Sequence, residues 1–461
     1  MSMQKYAPIF NIFRVVLFFC VVFSQDFLIK TSDGIEAKLD SSLSITPYLK
    51  SILSSEHKWG DGYELTEFKK GNPTTITYAL FREDVYIDSL MILSEKNINP
   101  NVLEQLFLPL KKVQSIKELN AGVQLLEQSY DFMESETNVK IGRFSMKKLM
   151  ALIEPAYHFE NRFSGLLGMS NEKNNMNVSG NLQFHFENLW KTAGTIDIQF
   201  NRWKTESEKL FLSLVEPIIF QLPFGGKLEY QYEVNEGLYV KTKSSLGVLS
   251  RGFKFGNWEF TGANTLIEPT ETGLGIGLNL LREQSFKVRH SFKLQEQNWQ
   301  PDKGLNMNTM ISLGRLSVKD ESYATVELNH LTETIQLIGF KSGIRSKMEF
   351  KGLWSNRSSL EWSQLIRFGG VGNLRGYREN QFFSEWVILP SIEIFRYATN
   401  KTSLSIFTEG AIQEDYNPFP WNYGVSLDQN YANNHITISL AWGREYSFSQ
   451  GKVHINFINI L

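Results

Sequence analysis

The stretch from Arg367 to Asn380 concentrates glycines around one arginine. Four glycines fall within eight residues: Gly369, Gly370, Gly372 and Gly376. This density predicts a tightly folded loop in which backbone segments approach each other closely. Arg375 stands among small and apolar residues, so in a narrow, desolvated site its guanidinium would need a carboxylate partner. The sequence therefore predicts a buried ion pair centred on Arg375.

Other kinds of chemistry find little support. No helical pattern follows these glycines to receive a pyrophosphate, and neither a P-loop nor a Gly-x-Ser-x-Gly elbow is present. The seven histidines lie far apart and include no close pair typical of a metal site. His185 and His435 stay open as members of a Ser/His/Asp arrangement on strands. The formal net charge of −2 argues against nucleic-acid binding. We expect no enzymatic activity, no metal and no cofactor.

The elements that must position this loop are strands. From about residue 156 to 461, apolar and polar residues alternate with a period of two, which predicts half-buried strands. Leu228 and Tyr230, for example, alternate with Glu229 and Gln231. Sixteen or seventeen such segments are present, joined by short polar connections.

A soluble β-sandwich or propeller is the alternative for these segments. Soluble strands usually run for about 5 or 6 residues, whereas many of these are nearly twice as long. A membrane-spanning strand needs roughly 9 to 11 residues, with an apolar face to lipid and a polar face to the lumen. Residues 162–461 supply about 19 residues per strand and turn for sixteen strands. The sequence thus predicts an all-β transmembrane barrel of about sixteen antiparallel strands.

The mean hydropathy is compatible with such a barrel, because only alternate residues of each strand need be apolar. Its value of −0.24 excludes a helical membrane bundle, which would contain several long apolar runs. With 42% hydrophobic and 21% charged residues, the composition is ordinary for a folded protein. Wholesale disorder is therefore also excluded.

Residues 1–24 have the pattern of a secretory signal peptide. Lys5 and Arg14 precede an apolar run, residues 15–23, and a small residue follows it. A buried helix or a membrane anchor is the alternative, but the run is too short to span a bilayer. Cleavage would remove Cys20, the only cysteine, and would leave 45 basic against 49 acidic residues in place of 47 against 49.

Between the signal and the barrel, the pattern predicts a small α+β region. Asn99-Pro100 and a capping box beginning at Ser115 each open a helical apolar pattern. With strand-like runs on both sides, residues 85–155 are predicted to follow the order β-α-α-β-β. Residues 25–84 form a partial copy of that unit, with a short helix from residue 46 to 53 and two strands. A generic α+β domain is the alternative.

The glycine-rich stretch resembles the signature of a known family. Arg375, Gly376 and Tyr377, preceded by Gly369-Gly370 and Leu374, are similar to the Arg-Gly-Tyr/Phe motif in the sixth extracellular loop of BamA/TamA outer-membrane assembly factors. This bacterial surface antigen family is related to the two-partner secretion transporters. The resemblance covers about residues 64–461 and includes a turn at 301–304 similar to the family's Pro-x-x-Gly turn, five alternating segments after the loop, and an alternating last strand.

The resemblance implies a sixteen-stranded outer-membrane barrel whose loop folds into the lumen. It also implies a periplasmic POTRA (polypeptide-transport-associated) domain at 85–155 and a partial POTRA-like module at 25–84. The barrel would occupy residues 156–461. The residues that would lock the loop, named here the loop-lock motif, are Gly369, Gly370, Gly372, Leu374, Arg375, Gly376 and Tyr377.

The chain departs from the family pattern at the expected partner of the arginine. The family places an aspartate in a Phe-x-Asp-x-Gly strand, whereas this chain has Glu409 there, with the glycine displaced by one position. Alternation puts Phe407 and Glu409 on one face, so we expect Glu409 to point into the lumen near Arg375. Glu393, in the preceding strand, is the second candidate. With at most one full POTRA unit and a final Leu461 in place of an aromatic residue, the chain resembles a reduced paralogue.

What the resemblance implies about function is a translocase or insertase that assists the assembly or export of proteins at the outer membrane. Its partners would be the lipid bilayer, unfolded outer-membrane or secreted polypeptides, and other envelope-assembly subunits. Clients would add a strand to the segment carrying Val85, Ile87, Leu90 and Ile92. The alternatives are a non-catalytic structural or partner subunit of an envelope complex, a lipid-passing barrel, and, less favoured, a barrel enzyme or passive porin.

Overall fold

A computed structural model describes most of the chain. The described residues are 27–32, 34–39, 45, 48–49, 61–71, 73–81, 85–93, 97–134, 137–143, 148–172, 175–204, 206–219, 222, 224–253, 256–295, 303–339, 341–414, 419–431 and 434–460. They belong to two compact units, one of Met1–Glu127 with Met133–Tyr157 and one of Gln128–Phe132 with His158–Leu461. The predicted signal peptide with Cys20 lies outside the described residues, as do Leu461 and the first two residues of the predicted 301–304 turn.

The first unit begins with a four-stranded sheet. Its strands are β1 (Phe27–Thr31), β2 (Glu36–Leu39), β3 (Gly62–Lys69) and β4 (Thr74–Phe81), in the order β2-β1-β4-β3. The strand β1 runs parallel to β4, and β3 runs antiparallel to it. Ile29, Leu49 and Tyr63 are buried between the sheet and a helical segment of which residues 45, 48 and 49 are described. The sequence predicted this helix and the strands β3 and β4, but not β1 and β2.

The second part of this unit has the predicted order β-α-α-β-β. Its elements are β5 (Tyr86–Ile92), α1 (Pro100–Phe107), a 3-10 turn (Leu108–Leu110), α2 (Ile116–Ser129), β6 (Asn138–Arg143) and β7 (Lys148–Glu154). The side chain of Asn99 caps α1 by accepting from the Asn101 N–H at 3.0 Å. Ser115 caps α2 by accepting from the Glu118 N–H at 3.1 Å. Each predicted helix therefore begins directly after its predicted capping residue.

Both sheets of the first unit share one arrangement. In the sheet β5-β7-β6, β5 runs parallel to β7, and β6 runs antiparallel to β7. The strands β1, β4 and β3 repeat this pattern. Because β1 corresponds to β5, this sheet contains all three strands of the arrangement. The sequence predicted only two of them, β3 and β4.

The second unit is a closed antiparallel barrel. Its strands are β8 (Arg162–Glu172), β9 (Asn175–Glu187), β10 (Thr195–Lys204), β11 (Ser207–Glu216), β12 (Gly225–Asn235), β13 (Tyr239–Phe253), β14 (Gly256–Pro269), β15 (Leu281–Gln295), β16 (Lys303–Val318), β17 (Glu321–Gly339), β18 (Ser342–Ser355), β21 (Trp386–Thr399), β22 (Thr402–Gly410), β23 (Trp421–Tyr431), β24 (Asn434–Gly443) and β25 (Lys452–Ile460). A short hairpin, β19 (Ile366–Phe368) and β20 (Phe382–Ser384), lies between β18 and β21, and a short helix, α3 (Glu271–Gly275), precedes β15. The last strand, β25, pairs with β8 and closes the ring. The predicted fold class is confirmed.

The barrel carries its apolar side chains outside and its polar ones inside. In β22, Leu404 and Ile406 are 52% and 58% exposed, whereas Ser405 and Glu409 are 5% and 6% exposed. A soluble sandwich would show the reverse, since its apolar face would be buried between two sheets. The exterior of this barrel is suited to lipid, and the interior to water and ions. None of the described helices combines the length and apolar character needed to cross a membrane.

Candidate functional site

The connection between β18 and β21 contains the loop-lock motif. The hairpin β19–β20 pairs Phe368 with Phe382, and the motif lies between its strands. Gly369 and Gly370 have φ values of +117° and +90°, in the left-handed region that favours glycine. The Leu374 N–H donates back to the Gly370 carbonyl at 2.9 Å. The glycine-rich stretch therefore forms the predicted tight loop.

A buried carboxylate supports the base of this loop. The Val371 N–H donates to Glu379 Oε1 at 2.7 Å, and a Cβ at Gly370 would overlap the Glu379 carboxyl. Burial raises the pKa of the Glu379 carboxyl, while the hydrogen bond from Val371 opposes that shift. The glycine thus leaves room for a carboxylate that fixes the turn.

Gly376 brings the loop into contact with the barrel wall. A Cβ at this position would lie 2.5 Å from the backbone N of Gly443 and 2.6 Å from Cβ of Asn422. Those two residues belong to the wall strands β24 and β23. No side chain fits between the two backbones, so the loop lies inside the barrel, directly against its wall.

Arg375 is held by Glu409 through two bonds. The Arg375 Nε donates to Glu409 Oε1 at 2.7 Å, and the Arg375 backbone N–H donates to Glu409 Oε2 at 2.8 Å. The Asn422 amide also donates to Glu409 Oε2, at 2.9 Å. Since Glu409 is 6% exposed, this ion pair is shielded from water. Such charge-assisted bonds are stronger than neutral ones.

A second glutamate extends the ion pair into a network. Arg375 Nη2 lies 3.6 Å from Glu393 Oε2, and Arg345 Nη1 donates to Glu393 Oε1 at 2.6 Å. Two arginines thus face two carboxylates. Buried charges of this kind are tolerated only when they are paired and hydrogen-bonded. Here that condition is met by partners on β18, β21 and β22.

The Arg375 guanidinium also stacks on an aromatic ring. Its central carbon lies 3.3 Å from the centre of the Phe407 ring. Gly424, on the neighbouring strand, makes room for that ring, since a Cβ there would overlap it. A cation over an aromatic face adds attraction that grows with desolvation. The Arg375 guanidinium therefore contacts two groups of the wall, the Glu409 carboxylate and the Phe407 ring.

Two further contacts attach the loop to other strands. His454, on the closing strand β25, donates from Nε2 to the Arg375 carbonyl at 2.8 Å. The Tyr377 hydroxyl donates to the Trp421 carbonyl at 3.0 Å. Apolar residues of the loop and wall pack together around these bonds: Phe368, Leu374, Tyr377, Phe382, Val387, Leu389 and Ala411. Together with the bonds to Glu409 on β22, these contacts attach the inserted loop to β22, β23 and β25.

The structure brings Arg375 to both carboxylates that the sequence named as candidates, with Glu409 in direct contact and Glu393 more distant. Asn422, His454 and Arg345 also belong to the site, although no motif in the sequence marks them. Alternation alone predicts that His454 points inward, between the outward Val453 and Ile455. It does not predict which strand lies beside the loop, because that depends on the register of the closed barrel.

The strand named for client binding is at the edge of its sheet. Among the described strands, β5 pairs only with β7, and outside that ladder the Ile87 carbonyl accepts from the Lys112 N–H at 3.0 Å. Val85 and Ile87 are buried in the core of the unit, whereas Leu90 and Ile92 are half-buried. What this segment offers outward is therefore its backbone edge, rather than the Val85 and Ile87 side chains.

Each of the two histidines left open for catalysis lies near a carboxylate. His185 Nδ1 lies 2.7 Å from Asp197 Oδ1, and its Nε2 lies 2.9 Å from Glu187 Oε1. With a carboxylate on each nitrogen, the ring has no nitrogen left to act on a serine. His435 Nε2 lies 3.6 Å from Asp428 Oδ1. Among the described residues, no group of three or more His, Cys, Asp or Glu side chains is placed to hold a metal ion.

The fold is shared with three proteins of known structure. A BamA from Haemophilus ducreyi lacking POTRA domains 1–3 is 12% identical, with a TM-score of 0.52, over 91% of this chain and 94% of that chain. CdiB from Acinetobacter baumannii is 11% identical, with a TM-score of 0.60, over 93% of this chain and 83% of that chain. CdiB from Escherichia coli is 10% identical, with a TM-score of 0.59, over 99% and 94%.

This chain has the fold of BamA and CdiB. At these identities the likeness concerns the architecture, and it confirms the resemblance at the level of fold. No family model and no curated protein matches the sequence. The likeness to BamA and CdiB is therefore a likeness of fold.

Proposed function

We propose that this protein is an outer-membrane translocase or insertase that assists the assembly or export of other proteins. The observation that carries the proposal is the loop held inside a BamA-like and CdiB-like barrel by the Arg375–Glu409 pair. A loop bonded to the wall through a buried ion pair occupies the lumen while it stays attached at both ends. Such a loop can brace the wall while the barrel opens for a client.

The N-terminal unit supports a role in receiving unfolded polypeptide. No described strand pairs with β5 on the side away from β7, and apart from the Ile87 carbonyl, which binds the Lys112 N–H, an extended client segment can add there as a further strand. The BamA structure compared above lacks POTRA domains 1–3. We assign this role to the POTRA-like sheet β5-β7-β6 and place the unit in the periplasm, following a cleaved signal peptide.

We place lateral opening at the closing seam, whose ladder is among the shorter ones of the barrel and is as long as those of β24–β25 and β9–β10. The ladder between β25 and β8 runs from Val453 opposite Met169 to Ile460 opposite Arg162, whereas β16 and β17 pair from Lys303–Gln336 to Val318–Glu321. Fewer ladder hydrogen bonds must break at the seam than at the tall side of the wall. The driving force would be the folding and lipid burial of the client, so the proposal needs neither a nucleotide nor a catalytic residue.

The test compares Arg375→Ala with Arg378→Ala in cells. Both substitutions remove one arginine from the same loop, but Arg378 is exposed, whereas Arg375 reaches Glu409. We expect both barrels to be present and folded, and the abundance of outer-membrane or secreted proteins to fall only with Arg375→Ala. Unchanged abundance of all such proteins in the Arg375→Ala strain would contradict the proposal.

Crosslinking separates this function from that of a partner subunit. With Cys20 replaced, a single cysteine at Met91, which is 52% exposed on β5, should capture many nascent barrel proteins. A cysteine at the exposed Gln124 on α2 is the matched control and should capture far fewer. One stable adduct of a single size at Met91 would favour a structural subunit of an envelope complex instead.

A further inference from the structure

The barrel lumen contains a large cavity in which basic side chains outnumber acidic ones. Its volume is about 700 Å³, within the usual range of small-ligand sites. Six basic side chains line it: Arg202, Lys209, Lys241, Lys243, Lys287 and Arg367. Four carboxylates also line it: Glu233, Glu283, Glu327 and Glu379. The lining therefore carries a formal charge of 6 − 4 = +2.

The carboxylates of the cavity are bound to neutral donors. The Thr325 hydroxyl donates to Glu283 at 2.6 Å, and the Asn329 amide donates to Glu327 at 2.9 Å. The Gln231 amide donates to Glu233, and the Val371 N–H to Glu379. In the described part of the chain, none of the four cavity lysines lies within 4.0 Å of a carboxylate oxygen. The acids therefore leave the lysines without direct partners.

Lys243 and Lys287 have no charged residue directly opposite them in the ladders, although Glu327 and Glu229 attract Lys243 from farther away. The residues opposite Lys243 on its two neighbouring strands are Gln231 and Thr265. Those opposite Lys287 are Thr261 and Ser312. All four neighbours are uncharged.

Two other luminal lysines have carboxylate partners. Lys227 Nζ lies 2.7 Å from Glu229 Oε1, and Lys351 Nζ lies 2.6 Å from Glu349 Oε1. Neither of these two lysines lines the cavity. The absence of direct carboxylate partners is thus a property of the cavity, not of luminal lysines in general.

Two buried polar atoms of the cavity have no hydrogen-bond partner among the described residues. They are Oγ of Ser363, a residue only 4% exposed, and Nη2 of Arg367. Both belong to the inserted loop, and both line the same cavity as the lysines. The Arg367 guanidinium is fixed by stacking on Trp362, 3.9 Å from the ring centre. A buried polar group without a partner is costly, and a ligand at this place would relieve that cost.

We propose that this cavity binds an anion that carries phosphate groups, held by Lys243 and Lys287 from the wall and by Arg367 and Ser363 from the loop. A phosphate group has several strong acceptor oxygens and can take bonds from ammonium, guanidinium and hydroxyl donors together. It also supplies the negative charge that the lining lacks. The proposal does not depend on the translocation function.

The first experiment measures binding of inorganic tripolyphosphate to the purified full-length protein by calorimetry. We expect saturable binding that weakens with added salt. The Lys243→Gln/Lys287→Gln double variant should bind about tenfold more weakly or worse, which corresponds to a loss of about 1.4 kcal/mol or more. The matched control is Lys351→Gln, which removes a paired luminal lysine outside the cavity and should bind as the wild type does.

Folding of each variant is checked by its heat-dependent migration in gels. If the double variant does not fold, Ser363→Ala, which removes only the unpartnered hydroxyl, takes its place and should also weaken binding. No saturable binding to the wild type, or equal binding to the wild type and to the folded cavity variant, would overturn the proposal.

A second arm distinguishes a lipid headgroup from a free phosphate compound as the natural source. The protein is placed in phosphatidylcholine nanodiscs with or without phosphatidylglycerol, and tripolyphosphate binding is measured again. A headgroup is supported if phosphatidylglycerol weakens tripolyphosphate binding to the wild type but does not change the residual binding to the double variant. Unchanged affinity in the two lipid mixtures supports a free anion. The loss of binding in the double variant is required in both cases.

Discussion

The Glu409 carboxylate binds both the side chain and the backbone N–H of Arg375. Oε1 accepts from the Arg375 Nε and Oε2 from the Arg375 N–H, at 2.7 and 2.8 Å. A carboxylate that only neutralised the arginine would leave the loop backbone free to shift. This one fixes the position of the loop relative to β22. The pair therefore determines loop position as well as charge balance.

The first prediction concerns the charge of that carboxylate. Glu409→Gln keeps the size of the side chain but removes its charge, leaving Arg375 with Glu393 at 3.6 Å. We expect the free energy of unfolding to fall by about 1.5–3 kcal/mol, as for other hydrogen bonds to a charged group. Urea unfolding in lipid vesicles measures it. A double-mutant cycle with Arg375→Ala should show coupling of about 0.5–3 kcal/mol, and additive effects would contradict the direct pairing.

The second prediction concerns the closest approach of loop and wall. Gly376→Ala places a methyl group against the backbone of Gly443, so the loop must move away from β23 and β24. Gly372→Ala, four residues earlier, is the control, because a Cβ there meets nothing within 4 Å. We expect only Gly376→Ala to make the loop accessible to protease added to intact vesicles. Equal protection of both variants would mean that the contact does not hold the loop.

The third prediction concerns the aromatic platform beneath the guanidinium. Gly424→Ala would overlap the Phe407 ring and displace it from Arg375, at a cost typical of overpacking, about 1–3 kcal/mol. Gly262→Ala, on β14, is the matched control, since a Cβ there meets nothing. The unfolding free energies of the two variants are compared in the same vesicles. A larger loss in the Gly262 variant would refute this role of Gly424.

Much of this architecture could be predicted from the sequence because it depends on local pattern. A period of two predicts the strands and their faces, as in β22, where Leu404 and Ile406 are indeed exposed and Ser405 is buried. The capping residues Asn99 and Ser115 predicted where two helices begin. These features need no knowledge of distant parts of the chain.

The candidate site was only partly predictable, because it is assembled from residues far apart in sequence. His454 meets Arg375 only because β25 closes the ring beside the strands that face the loop. The stacking of Phe407 depends on a glycine across the ladder, Gly424, which has no sequence signature of its own. Likewise, β1 was missed because a five-residue strand can be recognised only by its parallel partner, β4. Register and closure, rather than composition, provide this information.

The last prediction tests the lipid-facing surface with two apolar residues of similar exposure. Ile406 is 58% exposed in the middle of β22, and Leu65 is 51% exposed on β3 in the first unit. If the barrel exterior faces hydrocarbon, Ile406→Arg places a charge in lipid and should cost about 2–4 kcal/mol of the unfolding free energy in vesicles. Leu65→Arg places the same charge in water, where surface substitutions usually change stability by less than about 0.5 kcal/mol. Folding yield and urea unfolding in vesicles measure both. Equal, small effects would show that the exterior of β22 is not in contact with lipid, and the transmembrane assignment of this strand would fail.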